Sequence, residues 1–210
     1  MSGEGWDCVR GEIFGLAVDE VDVDAQMVHV VQQVKEVGSR LIFAPPKGGK
    51  FRDVPLPDSV ATALAEHAKE FPPVEVTLPW GRPDGPEVTR RLYFTTRFGN
   101  PLRHQTFEGI WKPALVAAEV IPPPEEPGKF ARAPEDGMHA LRHHYASVLL
   151  DAGENIKALS AYLGHSDPGF TLRVYTHLMP TSESRTRGAV DEAYRKAGRY
   201  RDGPETARMA

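Results

Sequence analysis

Apolar side chains recur along the chain in two rhythms. Between residues 27 and 57 they alternate with polar ones: "MVHVVQQV" (27 to 34), "SRLIFAPP" and "FRDVPLP" read as strands of a small antiparallel sheet around the turn "KGGK". Ahead of them, "EIFGLAVDEVD" reads as a short helix running into an acidic turn. Asp58 is placed to cap "SVATALAEHAKEF", where Val60, Ala61, Leu64 and Ala68 recur at helical spacing. A Pro/Gly-rich stretch from 72 to 88 holds the apolar "VEVTLPW", and "RLYFTTRFGNPL" reads as a strand ending in a turn. "QTFEGIWKPALVAAEV" is helical despite Pro113, and the proline-rich segment 121 to 137 is an extended loop.

The last third follows the helical rhythm. From Met138 onward, Leu141, Tyr145, Val148, Leu149 and Ala152 form one stripe, which Gly153 stops. Asn155 is a cap for a second helix that turns Ile156, Leu159 and Leu163 inward and ends at Gly164. Asp167 followed by Pro168 opens a third helix reaching Tyr175. Strands first and helices afterwards make an α+β fold.

Composition narrows the class. The 210 residues suit one domain, 40% apolar and 26% charged, with no apolar run long enough to span a membrane and no signal-peptide core at the start. A single cysteine, Cys8, forms no internal disulfide, which fits the cytoplasm. The net charge of -4 speaks against a polyanion partner, but the charge is unevenly spread. Residues 89 to 112 carry Arg90, Arg91, Arg97, Arg103 and Lys112 against Glu108 alone, and the tail is again basic.

The chemistry concentrates in a few places. His139 and Arg142, three apart on a helix, are expected to point away from the apolar stripe. His165 follows a helix end, Tyr175 lies ten residues further on, and Lys47 stands where a strand meets its turn. His139, His143 and His165 also admit a metal reading, but no nearby Asp, Glu or Cys has the spacing to complete it.

These residues resemble the tyrosine recombinases, the phage-type integrase family. The family's second box, H-x-L-R-H, is matched by His139, Leu141, Arg142 and His143; L-G-H-S by Leu163 to Ser166; and the nucleophile motif Y-x-H by Tyr175 to His177. The hairpin lysine motif, ending R-x-V-P-L, is matched by Lys47 and by Arg52, Val54, Pro55 and Leu56. The resemblance covers most of residues 5 to 185. It implies a mainly helical catalytic domain with a small three-stranded antiparallel sheet over residues 1 to 185, and a basic helix or tail over 186 to 210. It also implies site-specific recombination of double-stranded DNA through a 3′-phosphotyrosine on Tyr175, by a homotetramer, without metal or cofactor. In that scheme Arg142 binds the phosphate, His139 and His165 hydrogen-bond to it or take the tyrosine proton, and Lys47 protonates the leaving oxygen.

Two departures stand out. The family's first box, G-x-R-x-x-E, has Val9 where its arginine is expected, with Arg10 one place later and Glu12 in register. A one-residue slip on a helix turns a side chain by about 100° and moves it about 1.5 Å along the axis. Arg10 is the candidate for the second phosphate-binding guanidinium, and the slip predicts impaired cleavage. The second departure is that almost nothing precedes the first box, so the family's N-terminal DNA-clasping domain is expected to be missing. An inactive DNA-binding or partner-binding remnant is therefore an alternative, and a metal-dependent hydrolase is another.

Overall fold

Two glycines let the first helix, α1 (Asp7–Phe14), lie directly against strand β3 (Gln33–Val37). A Cβ on Gly11 would stand 2.7 Å from the Val34 carbonyl oxygen, and one on Gly15 3.0 Å from the Gln33 backbone. The structure, a computed structural model, describes residues 7–126, 128–130, 136–175 and 183–199. After α1 come a 3₁₀ turn (Val18–Glu20), β1 (Val21–Asp22) and β2 (Met27–Val30), followed by β3, β4 (Arg40–Ala44) and β5 (Arg52–Pro55). Helix α2 (Asp58–Glu70), β6 (Val74–Pro79), β7 (Glu87–Leu92) and α3 (His104–Ala117) complete the first part. The second part is helical: α4 (Met138–Asp151), α5 (Ile156–Leu163), α6 (Pro168–Tyr175) and α7 (Glu183–Arg199).

The α+β expectation holds, but the strands pair differently. A three-stranded antiparallel sheet is present in the order β1-β2-β5, while β3-β4 and β6-β7 form separate antiparallel pairs. The segment 27 to 34, expected as one strand, is split between two sheets. The cause is Gln32, whose buried side chain donates from Nε2 to the Gly15 carbonyl (2.8 Å) and accepts from Arg90 Nε (3.3 Å). Its amide ties the break to the loop after α1, and the chain restarts in a new sheet. A bridge between Phe43 and Trp80 joins β4 to the end of β6.

One core gathers Phe14, Ala17, Val34, Phe43, Val76, Leu92 and Leu102 between α1 and the strands. Fully burying a side chain such as Phe43 or Leu92 contributes about 1.5–3 kcal/mol, so this cluster holds α1 and the β4–β5 turn in fixed relation. A second core joins Ala146, Leu150, Leu159, Leu163 and Tyr175 across α4, α5 and α6.

Local signals set the ends of these helices. Asn155 Oδ1 accepts from the Ala158 amide (2.8 Å), Gly164 closes α5 at φ 69°, and Asp167 Oδ1 accepts from the Gly169 amide (2.8 Å) at the start of α6. Gly153, at φ 89°, follows α4 as the expected stop. Two expectations need correction. Asp58 is the first residue of α2 and not its cap; its carboxylate accepts from Gln26 Nε2 (2.7 Å) instead. More consequentially, α4 is turned: Leu141 and Val148 are 50% and 52% exposed, while Ala146 and Leu150 are buried with Tyr145 and Leu149 beside them. The inward face is thus rotated by nearly one residue's step, about 100°. His139 and Arg142 fall on the N-terminal continuation of that inward face, not on a displaced one.

Candidate active site

Three elements meet at the open end of α4. Gly137 precedes α4, so His139 and Arg142 stand in its first turns. The left-handed Gly164 reverses the chain after α5 and carries His165 back toward them. From the other side comes the turn Lys47–Gly49, where Gly48 has φ 72° and Lys47 is exposed. Together they line a cavity of about 660 Å³ whose walls include Lys47, Lys50, His139, Arg142 and His165.

Arg142 is the hub. Its Nη2 donates to the Leu163 carbonyl oxygen and lies 2.9 Å from His165 Nε2. The same guanidinium acts on the Tyr175 phenol, which its charge and hydrogen bonding stabilise in the ionised form. Tyr175 ends α6 with 2% exposure, its ring 5.4 Å from that of His143, which in turn stands 5.1 Å from that of His139. The other nitrogen of His165, Nδ1, is 2.7 Å from Thr171 Oγ1.

Electrostatics follow from this crowding of cations beside apolar walls. Burial, then Arg142, Lys50, His139 and Arg52, push the His165 imidazole down to about 4. Burial and the neighbouring His143 and Arg142 lower His139 as well. Both rings are therefore neutral at pH 7. Burial raises the Tyr175 phenol, while the charge and hydrogen bond of Arg142 pull it back down.

A truss sits beneath the cavity. Arg52 donates from Nη1 and Nη2 to the two Glu12 carboxylate oxygens (3.0 and 2.6 Å) and from Nε to the Tyr162 carbonyl (2.9 Å). One side chain thus ties β5 to α1 and α5, and a Cβ on Gly164 would press on it at 3.3 Å. Bidentate, largely buried arginine–carboxylate pairs have restricted geometry, which holds the turn before His165 in place.

Of the six residues singled out from the sequence, the structure brings His139, Arg142, His165 and Tyr175 together and puts Lys47 on the same cavity. Arg10 does not line this cavity. Its Nη1 pairs with Glu108 Oε1 (3.3 Å), and it lines a neighbouring cavity of about 770 Å³ that shares only Lys47 and Gly48 with the first. His177, the last residue of the tyrosine motif, lies outside the described residues. Lys50 and Thr171 were not anticipated; Arg52 and Glu12 were matched to family motifs without a role. The histidine cluster gains no support as a metal site, because no group of three or more His, Cys, Asp or Glu side chains among the described residues could hold an ion.

The family model described as "Phage integrase family" matches residues 10–182. A tyrosine recombinase XerC-like protein of Caldanaerobacter subterraneus subsp. tengcongensis is 27% identical over 195 residues, covering 88% of this chain and 46% of that protein. Tyrosine recombinase XerC of Mycobacterium leprae is 29% identical over 189 residues, covering 89% of this chain and 50% of that protein. The chain thus spans about half the length of these relatives. In fold it is similar to the Tn1549 transposon integrase solved in complex with circular intermediate DNA, with TM-score 0.61 and 20% identity over 87% of this chain and 55% of that one. A family match over most of the chain, ordered boxes that converge on one guanidinium, and a shared fold lead to one assignment: the chain belongs to the phage integrase family of tyrosine recombinases.

Proposed function

We propose that this chain is the catalytic domain of a site-specific DNA recombinase that breaks and rejoins strands through a phosphotyrosine on Tyr175. The observation that carries this reading is the single guanidinium of Arg142, bonded to His165 and acting on the Tyr175 phenol, at a cavity bordered by Lys47 and His139.

The chemistry is an exchange of phosphoesters. The Tyr175 oxygen attacks phosphorus, the bond to the 5′ oxygen breaks, and the tyrosine proton passes to a neutral imidazole. Negative charge grows on the nonbridging oxygens, and Arg142 turns its donors from Leu163 and His165 toward them. His139 stands beside it as a further polar contact. Lys47, exposed on a turn held between two strands, reaches over the cavity and gives its proton to the departing 5′ oxygen. One ester replaces another, so the bond is conserved for religation to a different strand.

Double-stranded DNA is the proposed partner, met by the cationic rim that includes Lys47 and Lys50, within the cytoplasm. Assembly on DNA is proposed as a homotetramer, with α7 offering Val190 and Tyr194, four apart and exposed, to a neighbouring protomer. A pool of nicked suicide duplexes with a randomised core tests the activity. A covalent adduct on a denaturing gel, lost in Tyr175→Phe, supports it, and sequencing the trapped strands identifies the site.

One observation favours a second reading, a DNA-binding remnant without cleavage activity: Arg10 is paired with Glu108 away from the cavity that holds Arg142. An adduct from the unaltered chain refutes this reading. No adduct from the unaltered chain or from Val9→Arg supports it.

A further inference from the structure

The turn "KGGK" carries two lysines, and its backbone sends both to one place. Gly48 and Gly49 stand at φ 72° and 67°, a left-handed pair that residues with a Cβ rarely adopt. The chain folds back within these two residues, and Lys50 joins Lys47 and Gly48 on the wall of the cavity that holds His139, Arg142 and His165. The Lys50 stem runs back over Gly48, where a Cβ would stand 3.7 Å from Lys50 Cε. Its ammonium opposes a charge on the His165 ring, second only to Arg142 among the neighbouring cations. Among the described residues, no carboxylate or carbonyl oxygen pairs with it.

We propose that Lys50 is a catalytic residue for strand cleavage: its ammonium binds a nonbridging oxygen of the scissile phosphate, in place of the missing first-box guanidinium. The inference rests on the reading of this cavity as the cleavage site. Val9 stands at the first-box arginine position, and Arg10 does not line the cavity. Charge nevertheless grows on two nonbridging oxygens as Tyr175 attacks, and Arg142 supplies a single positive charge. The other groups on the wall are committed elsewhere. Arg52 spends Nε, Nη1 and Nη2 on Tyr162 and Glu12, and the two imidazoles are neutral at pH 7. Lys47 gives its proton to the departing 5′ oxygen and is neutral from then on. Lys50 gives up no proton, so its charge persists while the Tyr175 oxygen bonds to phosphorus, the tyrosine proton passes to an imidazole and the bond to the 5′ oxygen breaks.

The test compares scissile groups at the site recovered from the suicide pool. On the ordinary phosphodiester, Lys50→Met, which keeps the stem without the charge, is expected to slow adduct formation roughly 100-fold, the effect of one lost contact to a developing oxyanion. Lys50→Arg is expected to retain most of the rate. A scissile methylphosphonate is neutral and needs one cation fewer, so on it the loss from Lys50→Met is expected to shrink to about 3-fold or less. A bridging 5′-phosphorothiolate relieves only the acid and is expected to leave that loss whole. Equal losses on phosphodiester and methylphosphonate, or no loss on the phosphodiester, overturn the proposal. A ¹H–¹⁵N titration of His165 in the free chain reads the placement of Lys50 without any substrate. Lys50→Met is expected to raise the His165 midpoint, because a charge that opposes protonation is gone; an unmoved midpoint puts the ammonium away from the site and overturns the proposal too. A raised midpoint with no adduct from the unaltered chain on any duplex removes the cleavage reading, and the catalytic role with it, while leaving Lys50 as a cation of this cavity.

Discussion

Glu20 offers a prediction whose size follows from the structure. Its side chain is 5% exposed; Oε2 accepts from the Ala17 amide (3.0 Å), and Oε1 has no hydrogen-bond partner. Burial is the main cause that raises its carboxyl from 4.5 to about 7; Asp19 adds to it, and the Ala17 amide, Arg90 and His29 oppose it. Because the folded-state value lies above the unfolded one, the folded chain binds more protons between these limits. The contribution of Glu20 to stability is therefore fully present below pH 4.5 and is lost as pH rises through 7. At about 1.4 kcal/mol per pH unit, the loss amounts to about 3 kcal/mol, an order-of-magnitude figure. Glu20→Gln keeps the shape and an acceptor oxygen but cannot ionise. Urea unfolding of both proteins from pH 4.5 to 7.5 is expected to show near-equal stability at the acid end and a variant more stable by about 3 kcal/mol at the neutral end. His165 acts in the opposite sense and is common to both proteins. Its depressed value costs stability as pH falls from 6.5 toward 4, so the difference between the two curves isolates Glu20. Parallel curves would refute the reasoning.

Other predictions bear on the site. Arg52→Met leaves the Glu12 carboxylate, 10% exposed, without its bidentate partner and is expected to lower unfolding free energy by about 3–5 kcal/mol; Glu12→Gln added to it should recover part of the loss by chemical denaturation. Lys47→Ala is expected to slow cleavage of an ordinary phosphodiester on the order of 100-fold but not that of a bridging 5′-phosphorothiolate, whose sulfur leaves without a proton; equal losses on both substrates would remove the acid role. Val190→Asp combined with Tyr194→Asp is expected to leave unfolding unchanged and weaken protomer assembly on DNA in analytical ultracentrifugation.

The helical third was legible where the signals are local. The Asn155 cap, the left-handed Gly164 and the Asp167–Pro168 start each act within a few residues; α5 begins and ends, and α6 begins, where they predict. The face of α4 was misread because counting large apolar side chains favours Leu141 and Val148, whereas close packing against α5 and α6 selects the small Ala146. The break after β2 was hidden because a buried glutamine reads as a polar surface residue until its partners, 17 and 58 positions away, are known. At the site, residue types and motif spacing named His139, Arg142, His165, Tyr175 and Lys47. The Arg52 truss spans separations of 40 and 110 residues, and nothing in the pattern marks Thr171 as the partner of His165. The one-residue slip at Arg10 was visible, but its pairing with Glu108 on α3 was not.

The central claim is that the Tyr175 oxygen is the atom that bonds to DNA phosphorus. Peptide mapping by mass spectrometry of the adduct trapped on the suicide duplexes, after nuclease digestion, tests it directly. The expected result is a nucleotide remnant on the peptide that contains Tyr175, localised to that residue, and no adduct from Tyr175→Phe. A remnant on any other residue, or an adduct formed equally well by Tyr175→Phe, would contradict it.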